Sequence, residues 1–188
     1  MSASLPAEPV AAPSPTCPRC RKPEPYCVCA GLEPVSTRLT TVILQHPQEQ
    51  DELLGTGWLC HCQLERSVLR VGLSWPSLKR ILEREVDMKR WGVLFLGAAT
   101  EAPRADEPEL LVVDRKGARL PEPAAALRRL EGLVLLDGTW SQAKTLWWRN
   151  PWLLKCQRLM LNPRSRSGYG RLRREPRREG LATLEAAA

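Results

Sequence analysis

Six short apolar runs, separated by helix and turn signals, set the limits on how this chain can fold. They are RLTTVILQ at 38–45, SVLRVG at 67–72, GVLFLG at 92–97, ELLVVD at 109–114, LVLLD at 133–137 and CQRLMLN at 156–162. Several are continuous rather than alternating, which is how strands buried on both faces read. Between them lie segments with helical spacing. The stretch 46–65 turns at His46-Pro47 and then places Leu53, Leu54 and Leu64 as apolar positions. The stretch 75–90 carries Pro76 early and sets Leu78, Ile81, Leu82 and Val86 on one face. EPAAALRRLEG, 122–132, reads as a helix closed by Gly132, and 139–150 as another. Strand and helix in alternation with short connections predict an α/β fold with a mostly parallel sheet flanked by helices.

The chain has 188 residues, enough for one real core, and 43% of them are hydrophobic. No run is long enough to span a bilayer. The first 16 residues, MSASLPAEPVAAPSPT, lack the basic and apolar regions of a secretory signal and read as a disordered tail. A cytoplasmic protein with no membrane association and no obligate protein partner is expected. The net charge of +7 is unevenly spread. NPRSRSGYGRLRREPRRE, 162–179, holds seven arginines around a Gly-Tyr-Gly, which suits a polyanion; in the cytoplasm RNA is the expected one. A solvated basic tail is the simpler alternative.

Of seven cysteines, four cluster as CPRCRKPEPYCVC: Cys17, Cys20, Cys27 and Cys29. Four thiolates bind zinc tetrahedrally, and a segment with no apolar core needs a metal to be ordered. Residues 17–31 are therefore expected to be a structural zinc module, with a redox or incidental thiol cluster as the alternative, and 32–188 as the main domain. LCHCQ, 59–63, also pairs cysteines with a histidine. On a helix Cys60 and Cys62 point to different faces, so this reads as helix core beside an exposed or half-buried His61.

The run LVLLD ends on Asp137, followed by Gly138, Thr139 and Trp140. In parallel sheets, ligands bind outside the carboxyl ends of the strands, which is where Asp137 falls. Thr139 and Gln142 form the T-x-x-Q pattern of a capping box. Asp137 itself gains from the helix N-terminus that follows, so local physics leaves it open between structure and chemistry. Trp140, Lys144 and Trp147 or Trp148 fall near one helical face, suited to packing or to stacking on a base.

Asp137-Gly138-Thr139-Trp140 resembles the signature of the DTW-domain family, and the likeness runs along most of the chain. CPRC…CVC resembles that family's zinc-binding cysteines. VILQHPQE, with His46 and Glu49, resembles its histidine–proline–glutamate segment, and Thr56 matches a following threonine. RLRREP…GLATLEA resembles its arginine-rich segment closed by T-x-E-A, here Thr183-Leu184-Glu185-Ala186.

The resemblance implies a tRNA-uridine aminocarboxypropyltransferase. Such enzymes move the 3-amino-3-carboxypropyl group of S-adenosylmethionine to N3 of a tRNA uridine and release 5′-methylthioadenosine. It implies a SPOUT-like fold with a C-terminal trefoil knot. Asp137, Thr139 and Trp140 would be catalytic. The cofactor pocket would draw on His46, Leu96, Gly97, Asp137, Thr139, Leu181, Thr183, Leu184 and Glu185. Arg164, Arg166, Arg171, Arg173, Arg174 and Lys144 would contact RNA. Two rival readings use the same residues: an S-adenosylmethionine-dependent RNA methyltransferase, and a zinc-containing RNA-binding module without catalysis.

Overall fold

The computed structural model describes residues 14–94, 104, 106–165, 167–168 and 181–188. The aliphatic runs become strands β1 (Thr40–Gln45), β2 (Ser67–Val71), β3 (Trp91–Leu94), β4 (Leu110–Val113), β5 (Gly132–Asp137) and β6 (Gln157–Leu161). They form one six-stranded sheet in the order β2-β1-β5-β3-β6-β4. Every neighbouring pair is parallel except β4 with β6. The central strands are buried on both faces: Val42, Ile43, Leu44 and Val134 are inaccessible or nearly so. Their continuous apolar runs are what that burial requires. The α/β expectation with a mostly parallel sheet therefore holds, and β4 is its antiparallel edge.

Helices cover both faces. The helices are α1 (Gly57–Gln63), α2 (Leu78–Leu82), α3 (Pro123–Arg128), α4 (Trp140–Arg149) and α5 (Thr183–Ala187). On one face Ile43, Leu69 and Leu135 pack with Cys60 of α1 and with Leu184 and Ala187 of α5. Leu159 and Leu133 on that same face meet Leu127 of α3. On the other, Val42, Leu44, Val93 and Val134 pack with Leu78 and Ile81 of α2, Trp147 of α4, and Trp152 and Leu153 of the turn after it. Alternation along β1 and β5 is what divides the two clusters.

Buried Asn150 locks the end of α4 to the loop after β2. Its side-chain amide donates to the carbonyls of Leu73 (3.0 Å) and Leu146 (2.7 Å), and its oxygen accepts the Trp75 amide (2.9 Å). The Trp152 indole adds a bond to the Trp75 carbonyl at 2.9 Å.

Three helix expectations are corrected in extent. In 46–65 only 57–63 is α-helical; Pro47–Glu49 is a 3-10 turn and a loop follows. Pro47 and the Gly55-Thr56-Gly57 sequence break the earlier part. In 75–90 the helix spans Leu78–Leu82, capped by Ser77 and ended by Glu83 in the left-handed conformation (φ 55°). Gly132 does not close α3. That helix ends at Arg128 with Arg129 as its cap, and Gly132 opens β5, packed directly against the Trp91 ring.

Candidate active site

β1 and β5 end level, because Gln45 and Asp137 are register partners. Their side chains emerge on the same face. Asp137 is 3% exposed and Gln45 1%. The Gln45 amide nitrogen donates to Asp137 Oδ2 at 2.7 Å. The Thr183 hydroxyl, at the start of α5, donates to Asp137 Oδ1. A buried carboxylate is thus held by one hydrogen bond on each oxygen, the arrangement that makes burial of such a group tolerable.

Two neighbours leave room for this. Gly57, at the start of α1, has space for no side chain: a Cβ there would lie 2.5 Å from Asp137 Oδ2 and 3.0 Å from the Gln45 amide nitrogen. Gly138 turns the chain out of β5 with φ at +152°, a conformation that favours glycine. Thr139 then starts α4 with the expected capping box. Its hydroxyl accepts the Gln142 amide at 3.4 Å, and its own amide donates to Gln142 Oε1 at 2.7 Å. His46 closes the corner from the β1 side, its backbone amide donating to the Asp137 carbonyl at 2.9 Å.

α5 is fastened here by more than Thr183. The Leu184 amide donates to the Thr56 hydroxyl at 3.2 Å. Glu185 accepts the amides of Ala182 (2.7 Å) and Gly168 (2.6 Å) and the Ser167 hydroxyl (2.9 Å). Burial opposes its ionisation, yet these three donors together hold its carboxyl below the usual glutamate range. Beside Asp137, Cys60 is buried in the α1 face of the core. Burial first, and the Asp137 charge second, push its thiol up to about 12, which makes it an inert packing group.

The structure thus brings His46, Asp137, Thr139, Thr183, Leu184 and Glu185 to one corner. Trp140 starts α4 there and is half-buried. Leu181 is half-buried just before α5. Trp147 packs into the core, with the Arg158 guanidinium 5.6 Å from its ring centroid, whereas Trp148 is 78% exposed. Lys144 is exposed on α4, and Arg164 lies 3.6 Å from Glu109 in an exposed ion pair. Leu96, Gly97, Arg166, Arg171, Arg173 and Arg174 lie outside the described residues. Gln45 and Gly57 belong to the site and were missed in the sequence. The available signal for Gln45 was a second buried-looking strand that, like β5, ends on a polar residue.

Gln45 Oε1 is buried and has no hydrogen-bond partner among the described residues. An unmatched acceptor next to a carboxylate suits a substrate that presents N–H donors, such as an ammonium or an imide.

The four clustered cysteines form the other candidate centre. Their Sγ atoms all lie within 4.8 Å of one another, with Cys17–Cys29 at 3.9 Å and Cys20–Cys27 at 3.8 Å. A ZnS4 tetrahedron with bonds near 2.3 Å has edges of about 3.8 Å, so this donor set fits a zinc ion. The amides of Cys20 and Arg19 hold the Cys17 thiol down at about 6. Burial and the neighbouring thiols push Cys29 up. His61 lies outside this cluster and pairs with the Ser67 hydroxyl at 2.8 Å.

This cysteine module is docked on the loop that leads to α1. Lys22, itself buried, donates to the Glu52 carbonyl at 2.8 Å, and the Arg21 guanidinium sits 4.2 Å from the Trp58 ring centroid. The Cys62 thiol donates to the Arg19 carbonyl at 3.2 Å. The module thus braces the segment that carries Thr56 and Gly57.

A buried aspartate at the end of a parallel strand, on a D-G-T-W turn tied to a T-L-E-A helix, marks a candidate site at the strand ends of an α/β protein. The DTW domain model matches residues 14–188, and the chain belongs to that family. It is 29% identical to tRNA-uridine aminocarboxypropyltransferase 2 of Macaca fascicularis over 98% of its own length and 57% of the relative's. It is 30% identical to the protein of that name from Mus musculus (93% and 54%), and 31% to that from Drosophila melanogaster (92% and 63%). The chain therefore spans somewhat more than half the length of the curated relatives it matches. No solved structure matches it.

Proposed function

We propose that this protein is a tRNA-uridine aminocarboxypropyltransferase. It transfers the 3-amino-3-carboxypropyl group of S-adenosylmethionine to N3 of a tRNA uridine, releasing 5′-methylthioadenosine. The observation that carries the reading is the buried Asp137, gripped by Gln45 and Thr183, on the D-x-T-W turn of a DTW-family chain. In this reading N3 attacks the methylene next to the cationic sulfur, and the thioether leaves without needing a proton. The protein's tasks are to take the N3 proton and to hold the reacting atoms in line.

Asp137 is the acceptor of that proton, reached through Thr183: the hydroxyl passes its own proton to the carboxylate and takes the one from N3. Gln45 orients the carboxylate, and its unmatched oxygen receives a substrate N–H. His46, Thr139, Leu181, Leu184 and Glu185 shape the cofactor pocket together with Leu96 and Gly97, and Trp140 closes it at the start of α4. Lys144, Arg164, Arg166, Arg171, Arg173 and Arg174 meet tRNA phosphates. The C-terminal segment that returns α5 to β1 and β5 is the part a SPOUT-like trefoil knot would thread. Cys17, Cys20, Cys27 and Cys29 hold a structural zinc, ordering the 17–31 module against the catalytic domain. A cytoplasmic location fits this substrate, and no helix among the described residues is long and apolar enough to cross a membrane.

The test is to incubate unmodified tRNA with the protein and S-adenosylmethionine, and to analyse nucleosides and small molecules by mass spectrometry. Aminocarboxypropyl-uridine with methylthioadenosine is expected. S-adenosylhomocysteine with a methylated nucleoside would assign a methyltransferase instead.

A further inference from the structure

The edge of the sheet opposite the active site carries a second feature that the reaction does not use. Because the strands are parallel, the residues that enter them gather at one end. Arg38 lies just before β1, Arg66 before β2, Arg90 before β3 and Glu131 before β5. With Arg84 and Leu130 they line an open pocket of about 250 Å³. β1 runs six residues from this end to Gln45, so the pocket lies about 17–20 Å from the Asp137 corner.

Arg38 and Arg66 are held by backbone carbonyls rather than by acids. Arg38 donates to the Leu130 carbonyl at 2.6 Å, and Arg66 to the Arg38 carbonyl at 3.1 Å. Arg90 donates to the Arg129 carbonyl at 3.3 Å and pairs with Glu131 at 2.7 Å. Arg84 makes no hydrogen bond or ion pair among the described residues. A guanidinium has five N–H donors, so most of the donor capacity of this wall is unspent. Four guanidiniums face one carboxylate. Gathered on the wall of a shared concavity, such groups suit a phosphate, which they contact in planar, bidentate fashion.

We propose that this four-arginine pocket is a phosphate-binding site that grips the backbone of the RNA substrate at a point remote from the reacting base. It rests on the reading of the substrate as tRNA. Its open mouth suits a phosphate within an extended chain. The pocket wall contains no aromatic ring on which a base could stack, so the contact positions the RNA without reading its sequence. An acidic protein segment is the less suited occupant, because Leu130 is the wall's one apolar contact.

The experiment is fluorescence anisotropy of labelled unmodified tRNA with the full chain over a range of salt concentrations. Arg84→Gln and the double variant Arg66→Gln/Arg84→Gln are compared with wild type. Arg84→Gln breaks no bond, so its melting temperature is expected to match wild type. The double variant is expected to bind about tenfold more weakly near physiological salt, with a log–log salt slope shallower by about one to two. KM for tRNA rises and kcat at saturating tRNA is unchanged. Wild-type affinity and slope in both variants would overturn the site while leaving the proposed reaction standing. Failure of the wild-type protein to bind tRNA would overturn both. Loss of binding to a polyglutamate peptide, with tRNA binding intact, would assign the pocket to an acidic protein and overturn the RNA occupant.

Discussion

The Thr183 hydroxyl donates to the Asp137 carboxylate across 46 residues of chain, tying the last helix to the end of a central strand. One bond thereby serves as anchor for α5 and as the proposed route for a proton. Substitutions at its two ends separate these roles. Asp137→Asn is expected to lower kcat by at least about 100-fold, the usual scale for loss of a general base. Thr183→Ser, which keeps the hydroxyl, is expected to retain turnover, whereas Thr183→Val loses it. Methylthioadenosine release measures all three. Near-normal release by Asp137→Asn would remove Asp137 from the chemistry.

Gly57→Ala places a methyl group 2.5 Å from Asp137 Oδ2. Backbone and a buried carboxylate cannot both yield without cost, so a loss of about 1–3 kcal/mol is expected. Activity falls further than stability does, because the displaced group is Asp137. Chemical denaturation beside a turnover assay separates the two.

Zinc content is expected at one ion per chain by atomic absorption, and Cys20→Ser abolishes it. Chelation frees Arg21 from the Trp58 ring, and the resulting change in tryptophan fluorescence reports module release. A metal-free protein with unaltered fluorescence and melting temperature would argue against a structural role.

Glu185 links the α5 anchor to pH. Its folded pKa is depressed, so its contribution to stability is fully present above the unfolded value, about 4.3. That contribution drains away as pH falls through the lower, folded value. The stability gap between wild type and Glu185→Gln is therefore expected to be open at pH 7 and to close in the acid range. Urea titrations at several pH values give the gap directly.

Asn150→Ala removes three hydrogen bonds and leaves the carbonyl of Leu73 and the Trp75 amide without their partner. A loss of about 2–4 kcal/mol is expected, with zinc binding preserved.

The sheet was legible because buried strands of a parallel sheet are written as unbroken aliphatic runs. β1, β5 and β6 appear almost as the sequence marks them. The helices were less so. The leucines of 46–65 suggest helix, but Leu53 and Leu54 lie in a loop braced by the cysteine module, a tertiary contact that periodicity does not encode. Gly132 looked like a helix terminator and is instead a close-packing position against Trp91. Within the site, Asp137 and Thr139 stood out by local pattern. Gln45 did not, because its meaning comes from lying opposite Asp137 in a neighbouring strand 92 residues away.

The Thr56–Leu184 bond spans 128 residues and the Gln45–Asp137 bond 92. Contacts of such separation close the largest loops in the chain, and they are the slow steps of assembly. The corner they build, closed by the short α5 helix, is expected to open before the sheet does. Gentle warming is therefore expected to silence the protein before its circular dichroism changes, so an inactive preparation with an intact spectrum has lost its last-assembled corner and not its fold.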